Sequence, residues 1–295
     1  MKPAAFSYYR AYDVAEAVER LSELGDDAKI LAGGQSLVPM MNFRLARPSA
    51  LVDITRISGL SYLRRDSEGL HVGALTTHRA VEVAELGDAD EDFGVLPRAA
   101  RWIGHYPIRC RGTFGGSIAH GDPASEWCLL AVLLEAVIVL HGPRGRREVP
   151  AAEFFGGFFV TAAGPDEVVV EVRFPSPSPH AALTEFAERQ GDFAIVAAAV
   201  SVEFDGDTCS GGRIVLGGVG SVPVPVDAPL AGQPATAETW RAAGEFAAGQ
   251  IDPPSDNHGD GTYRKRLAAT LVARALAEAS ARPGRGHPRL DGAGR

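Results

Sequence analysis

Two stretches of the chain pair glycines with short polar residues: ILAGGQSL at 30–37 and TFGGSIAHGDPASE at 113–126. Glycine lets other atoms come close to the main chain and reaches turns closed to other residues. Successive amides in such a turn form a concave nest that binds anions. Two nests facing one another could hold a diphosphate by backbone hydrogen bonds, each charge-assisted bond worth about 1.5–3 kcal/mol. On that reading, valine at Gly33 or Gly115 abolishes ligand binding and leaves the fold standing. The commonest use of Gly-Gly is a plain tight turn. Apolar residues before each pair and a serine soon after favour the ligand. Single-loop phosphate motifs are missing: there is no GxxxxGK[ST], and GGQSLVP lacks the later glycines of GxGxxG.

Helices and strands must bring these loops together. DVAEAVERLSEL (13–24) places Val14, Ala17, Val18, Leu21 and Leu24 on one helical face, with Asp13 and Glu16 spaced as a capping box and Gly25 as the stop. AKILAG (28–33), LVDIT (51–55), LHVGAL (70–75) and EVVVEVRFP (167–175) read as strands. Residues 76–104 read as helix in two pieces, the first capped by threonine. Residues 128–142 pass from helix to the strand-like AVIVL. FFGGFF (154–159) is more aromatic than a surface loop; it reads as core or as a covered interface, with core expected. PSPSPH (175–180) is a Pro/Ser linker and the expected domain boundary. Beyond it, 193–207 and 212–220 read as antiparallel strands, and 236–249 and 261–280 as helices. Arg264, Lys265 and Arg266 form a basic run that could meet an acidic partner, and a solvated helix face is the expected reading. The tail, 281–295, is poor in apolar residues and expected to be disordered.

The bulk numbers limit the function. The chain has 295 residues, 45% of them hydrophobic, enough for about two domains. No run reaches the ~18 apolar residues of a membrane helix, and the first residues lack a signal core, so a cytoplasmic protein is expected. A net charge of -8 argues against a nucleic-acid partner. Three cysteines, Cys110, Cys128 and Cys209, cannot supply the four thiolates of a [2Fe–2S] centre. No spacing of Cys or His points to a metal site, and the thiols read as structural.

AGGQSLVPMMNFRLARPSALVDI (32–54) and IGHYPIRCRGTFGGSIAHGDPASEW (103–127) resemble the FAD-binding medium subunits of the molybdenum hydroxylases. This is the family of the carbon monoxide dehydrogenase medium subunit, related to the FAD domain of xanthine dehydrogenase. GDFAIVAAAVSVEF (191–204), LGGVGSVPVP (216–225) and DGTYRKRLAATLVARAL (260–276) resemble its C-terminal domain. The resemblance implies an α+β chain with an FAD-binding domain of vanillyl-alcohol-oxidase type at 1–176, in subdomains of about 1–55 and 56–176. A smaller α+β domain with an antiparallel sheet follows at 180–280. It implies that Ala32, Gly33, Gly34, Gln35 and Ser36 bind the FAD diphosphate with Leu31 and Leu37 beside them. Thr113, Gly115, Gly116 and Ser117 form the second loop. Glu126 bonds ribityl or ribose hydroxyls, and Ile103 and Val169 pack on the flavin or adenine rings. Ser117, Gly121 and Trp127-Cys128 depart from the family pattern, and Glu185 and Glu188 stand where basic residues are common.

The function so implied is electron transfer. Substrate is oxidised on a large molybdenum-cofactor subunit, electrons cross the iron–sulfur clusters of a small subunit, and FAD on this chain passes them to an external acceptor, in a dimer of heterotrimers. The alternative is a stand-alone FAD-dependent oxidase or dehydrogenase with a pocket beside His120 and Trp127, where His105, Tyr106 and Asp122 are the other polar groups at hand. A third reading, a binding module without redox use, conflicts with the intact glycine loops.

Overall fold

The computed structural model describes residues 2–84 and 93–281. Most of the expected tail, 282–295, therefore lies outside the described residues, as does the end of the first helical piece between 76 and 104.

The chain opens with β1 (Ser7–Arg10), α1 (Val14–Leu24), β2 (Ala28–Leu31), α2 (Leu37–Asn42) and β3 (Ala50–Asp53). The three strands form a parallel sheet in the order β1-β3-β2. The Asp13 side chain accepts the Glu16 amide at the start of α1, and Glu16 reaches back to the amide of Tyr12. Ala17, Val18 and Leu21 bury the expected face.

Next come β4 (Leu63–Asp66), β5 (Gly69–Gly73), α3 (His78–Glu82), α4 (Val95–Ala100), α5 (Tyr106–Arg109), α6 (Phe114–His120) and α7 (Glu126–Leu133). They are followed by β6 (Val137–Gly142), β7 (Gly145–Pro150), α8 (Ala151–Phe154), β8 (Phe155–Gly157), β9 (Val160–Thr161) and β10 (Val168–Phe174). An antiparallel sheet runs β4-β5-β10-β6-β7. Its two faces serve different cores. Val168 and Val170 of β10 pack toward α1 and the first sheet, while Val169, Val172 and Phe174 pack toward α6 and α7. Side chains alternate across a strand, and the register break between Val169 and Glu171 switches which parity faces which layer, so one apolar run feeds both.

The last part holds β11 (Ala181–Phe186), β12 (Val196–Asp205), β13 (Thr208–Gly217), β14 (Val224–Val226), α9 (Ala237–Gly249) and α10 (Gly261–Ser280). The strands form an antiparallel sheet in that order. The same alternation explains the unbroken apolar run in β12. Val196, Ala198 and Val200 face α9 and α10, while Ala197 and Ala199 face the core around α7.

Two expectations are corrected. FFGGFF is only half core: Phe154 and Phe155 are buried, but Phe158 and Phe159 stand exposed at the turn between β8 and β9. Arg264 is not on a solvated face. It is buried, and its guanidinium donates to the carbonyls of Ile195 and Gly218 and to Asp256. The two carbonyls sit beside the ends of β12 and β13, where they would otherwise be buried unpaired acceptors. Among the described residues no helix is long and apolar enough to cross a membrane.

Candidate functional site: two glycine loops docked on each other

The first loop, Ala32–Ser36, joins β2 to α2. Gly34 has φ 72°, a left-handed turn that a side chain resists. None of the amides of Gly33, Gly34, Gln35 and Ser36 finds an acceptor within the protein among the described residues. Four consecutive free donors at a strand end are the geometry of an anion nest. Leu31 and Leu37 flank them, half-buried.

The second loop is built differently. Thr113 caps α6, and its hydroxyl accepts the Gly116 amide at 3.2 Å. The Phe114 amide donates to the Thr76 carbonyl, the Gly115 amide to that of Ala74, and the Ser117 amide to that of Thr113. The Ser117 hydroxyl lies 2.7 Å from that of Ser125. The amides expected to form a second nest are thus already bonded inside the protein.

The glycines are required by packing. A Cβ on Gly33 would collide with the carbonyl oxygen of Arg111 and stand 2.8 Å from Cα of Gly112. One on Gly115 would stand 2.7 Å from Cα of Ala74. Gly116 in turn faces Ala32. What comes so close to each main chain is therefore another main chain. The expectation that valine at Gly33 or Gly115 removes only the ligand is corrected: either side chain meets backbone, so the fold itself is disturbed.

Behind the second loop lies a support the sequence does not announce. Trp127 is fully buried, stacks on Phe114 with ring centroids 4.5 Å apart, and donates its indole N–H to Nδ1 of His78 at 2.9 Å. That bond needs a neutral imidazole. Burial first, and the nearby Arg109 second, push the His78 pKa down to about 4. The other edge of the His78 ring faces Gly112. Arg109 binds Glu82 at 2.9 Å and donates to the carbonyl of Gly104. The pocket expected beside His120 and Trp127 therefore has no Trp127 wall. His105 packs against Gly191, Tyr106 lies under the Arg79 guanidinium, and Asp122 accepts the amide of Ala124. Cys128 is also buried, and its thiol pKa is pushed up by burial.

Glu126 begins α7, seated where the third sheet packs on that helix. Burial raises its pKa to about 7, with Asp122 adding to the rise. Glu185 on β11 is raised to about 9, by burial and then by the charge of Glu126. Its Oε2 is buried without a hydrogen-bond partner among the described residues. Ile103 is partly buried against the central core, and Val169 is buried on β10 at a break in register with β6. The neighbouring Val170 carbonyl accepts the amide of Ala74, the residue against which Gly115 packs.

Comparison with known proteins gives this arrangement its family. Residues 4–177 match the FAD binding domain in molybdopterin dehydrogenase, and residues 181–279 match the CO dehydrogenase flavoprotein C-terminal domain. The alpha subunit of the 6-hydroxypseudooxynicotine dehydrogenase complex of Paenarthrobacter nicotinovorans is 40% identical, over 95% of this chain and 96% of its own. The carbon monoxide dehydrogenase medium chain of Hydrogenophaga pseudoflava is 38% identical, over 96% and 99%. The solved carbon monoxide dehydrogenase of that organism superimposes with a TM-score of 0.90, covering 95% of this chain and 99% of its own. Quinoline 2-oxidoreductase of Pseudomonas putida 86 gives 0.90 at 34% identity, covering 95% and 98%. The chain thus belongs to the FAD-binding medium subunits of the molybdenum hydroxylases, as a flavoprotein component of multi-subunit oxidoreductases.

Proposed function

We propose that this chain is the electron-exit subunit of a molybdenum hydroxylase. Electrons reach it from the iron–sulfur clusters of a small subunit after substrate oxidation on a large molybdenum-cofactor subunit, and leave to an external acceptor. Bound FAD supplies the redox chemistry, and the protein supplies binding, orientation and electrostatics. The carrying observation is the run of free amides from Gly33 to Ser36. They are the groups to hold the diphosphate oxygens. The second loop acts as their brace, with the Thr113 and Ser117 hydroxyls on its ligand side. In this reading Glu126 bonds ribityl or ribose hydroxyls, and Ile103 and Val169 back the ring systems.

In the same reading the domains run 1–176, divided near 55, and 180–280, the assembly is a dimer of heterotrimers, and it works in the cytoplasm. The buried position of Trp127 removes one wall of the pocket a stand-alone flavoenzyme needs. Co-expression with candidate large and small subunits tests the proposal. A yellow complex of all three chains is expected. A chain that carries no flavin, or that stays alone, contradicts it.

A further inference from the structure

Trp127 departs from the family pattern and has no part in the electron path proposed above. Its buried ring reaches two elements. One face stacks on Phe114 at the start of α6, and the indole N–H donates to Nδ1 of His78 at the start of α3. A backbone bridge joins the same two places at Thr77 and Thr113. There the His78 amide donates to the Gly112 carbonyl and the Phe114 amide to that of Thr76. The His78 ring lies along this bridge: a Cβ on Gly112 would stand 2.6 Å from its Nε2. Arg111 and Gly112 are in turn the backbone on which Gly33 rests. A row of contacts therefore runs from Trp127 through His78 and Gly112 to the first of the four free amides.

Packing alone does not call for that bond. Two apolar side chains of the same shape hold a core about as well as a hydrogen-bonded pair. What a buried donor and acceptor add is direction. The bond fixes the rotation of the imidazole, and with it the edge offered to Gly112. It forms only with a neutral ring, because a protonated imidazole has no lone pair at Nδ1 to accept it. Around the ring, α5 presents Arg109, and α3 itself presents Glu82 and Arg79, the glutamate paired with both arginines. α4 buries only apolar residues, with Arg98 exposed. α6 and α7 present the uncharged rings of Phe114 and Trp127. Burial and then Arg109 keep His78 neutral down to a pKa of about 4.

We infer that His78, held by Trp127, is a positioning residue for the nucleotide: it seats Arg111 and Gly112 under the first glycine loop and thereby sets how tightly the chain holds FAD. The inference rests on the flavin reading above. When His78 takes up a proton, the bond from Trp127 is lost and a second cation stands beside Arg109. The backbone floor then shifts and the nest loosens. Affinity is full above the His78 pKa and is lost as pH falls through it. Glu82 does not set this step, because its two arginines hold its own pKa below the ordinary carboxyl value against the cost of burial.

The test follows flavin release from the yellow protein as purified, by the fluorescence of free FAD, with folding tracked separately by circular dichroism. Trp127→Phe keeps an aromatic ring on Phe114 and deletes the donor. Near neutral pH it should weaken FAD binding about tenfold. Its acid release from the folded chain should move up by about one pH unit, because the neutral ring has lost the bond that favoured it. His78→Gln keeps an acceptor for the indole without a ring that titrates. It should keep most of the affinity and lose the release step near pH 4. Unchanged affinity and an unchanged release midpoint in Trp127→Phe, with only a lower unfolding midpoint, would make the pair structural and overturn the inference. So would a His78→Gln chain that releases flavin on the wild-type pH profile, and this variant decides if Trp127→Phe does not fold. A yellow wild type with either of those results removes the inference alone. A wild type that carries no flavin, alone or with its partners, removes the flavin reading and the inference with it.

Discussion

The two glycine loops share a signature and differ in what their backbones do. At 33–36 the amides have no partner among the described residues, while at 114–117 each amide already has one. Gly33 packs on the residues that lead into the second loop, and Gly116 faces Ala32 of the first. The likeness in sequence therefore marks a mutual docking surface, and the free backbone donors are concentrated on one side of it. A Gly-Gly pair reports close approach, but not what approaches.

The widest effect expected is a pH dependence on the braced side. Glu126 and Glu185 have raised pKa values, about 7 and about 9, so the folded chain keeps protons that the unfolded chain releases near its ordinary carboxyl pKa. Their contribution is most favourable in acid and is lost as pH rises through that window to about 9. Urea unfolding at pH 5.5 and pH 9 should show the fall, given as approximate working conditions around those values. Glu185→Gln should flatten it, and an unchanged slope would remove the carboxyl pair as its cause.

Next in size, Gly33→Ala and Gly115→Ala each force a Cβ into backbone and should cost about 3 kcal/mol in urea unfolding. Normal stability in either would break the docking picture. Trp127→Phe leaves Nδ1 of the buried His78 without a donor and should cost about 2 kcal/mol, read as a lower midpoint. Gly34→Ala is the mildest of the series. Its φ of 72° disfavours a side chain by about 1 kcal/mol, and its neighbours Leu31 and Val38 can yield. It should keep most of its flavin, and full loss of flavin with native stability would show that the loop tolerates no change in shape.

Much of this was legible in the sequence where the signal is local. The face and cap of α1 lie within a dozen residues, and α9 and α10 start after Thr236 and Asp260, which cap them. What escaped depends on partners far along the chain. β1 is a short, largely exposed edge strand defined by its pairing with β3. β11, AALTEF, has no strong strand preference and is ordered by β12. The four free amides were readable as a glycine turn, but the engagement of the second loop needed Ala74 and Thr76, which no motif links to it. The bond from Trp127 to His78 joins residues 49 apart. Arg264 sat in a basic run that looked solvated until the carbonyls of Ile195 and Gly218 came to it.

The most direct measurement is amide hydrogen exchange, residue by residue, on the full chain with and without FAD. The amides of Gly33, Gly34, Gln35 and Ser36 should exchange quickly alone and slow markedly when FAD is added, while those of Phe114, Gly115 and Gly116 should be slow in both states. Protection that appears with FAD at 114–116 and leaves 33–36 unchanged would contradict the division of labour between the two loops.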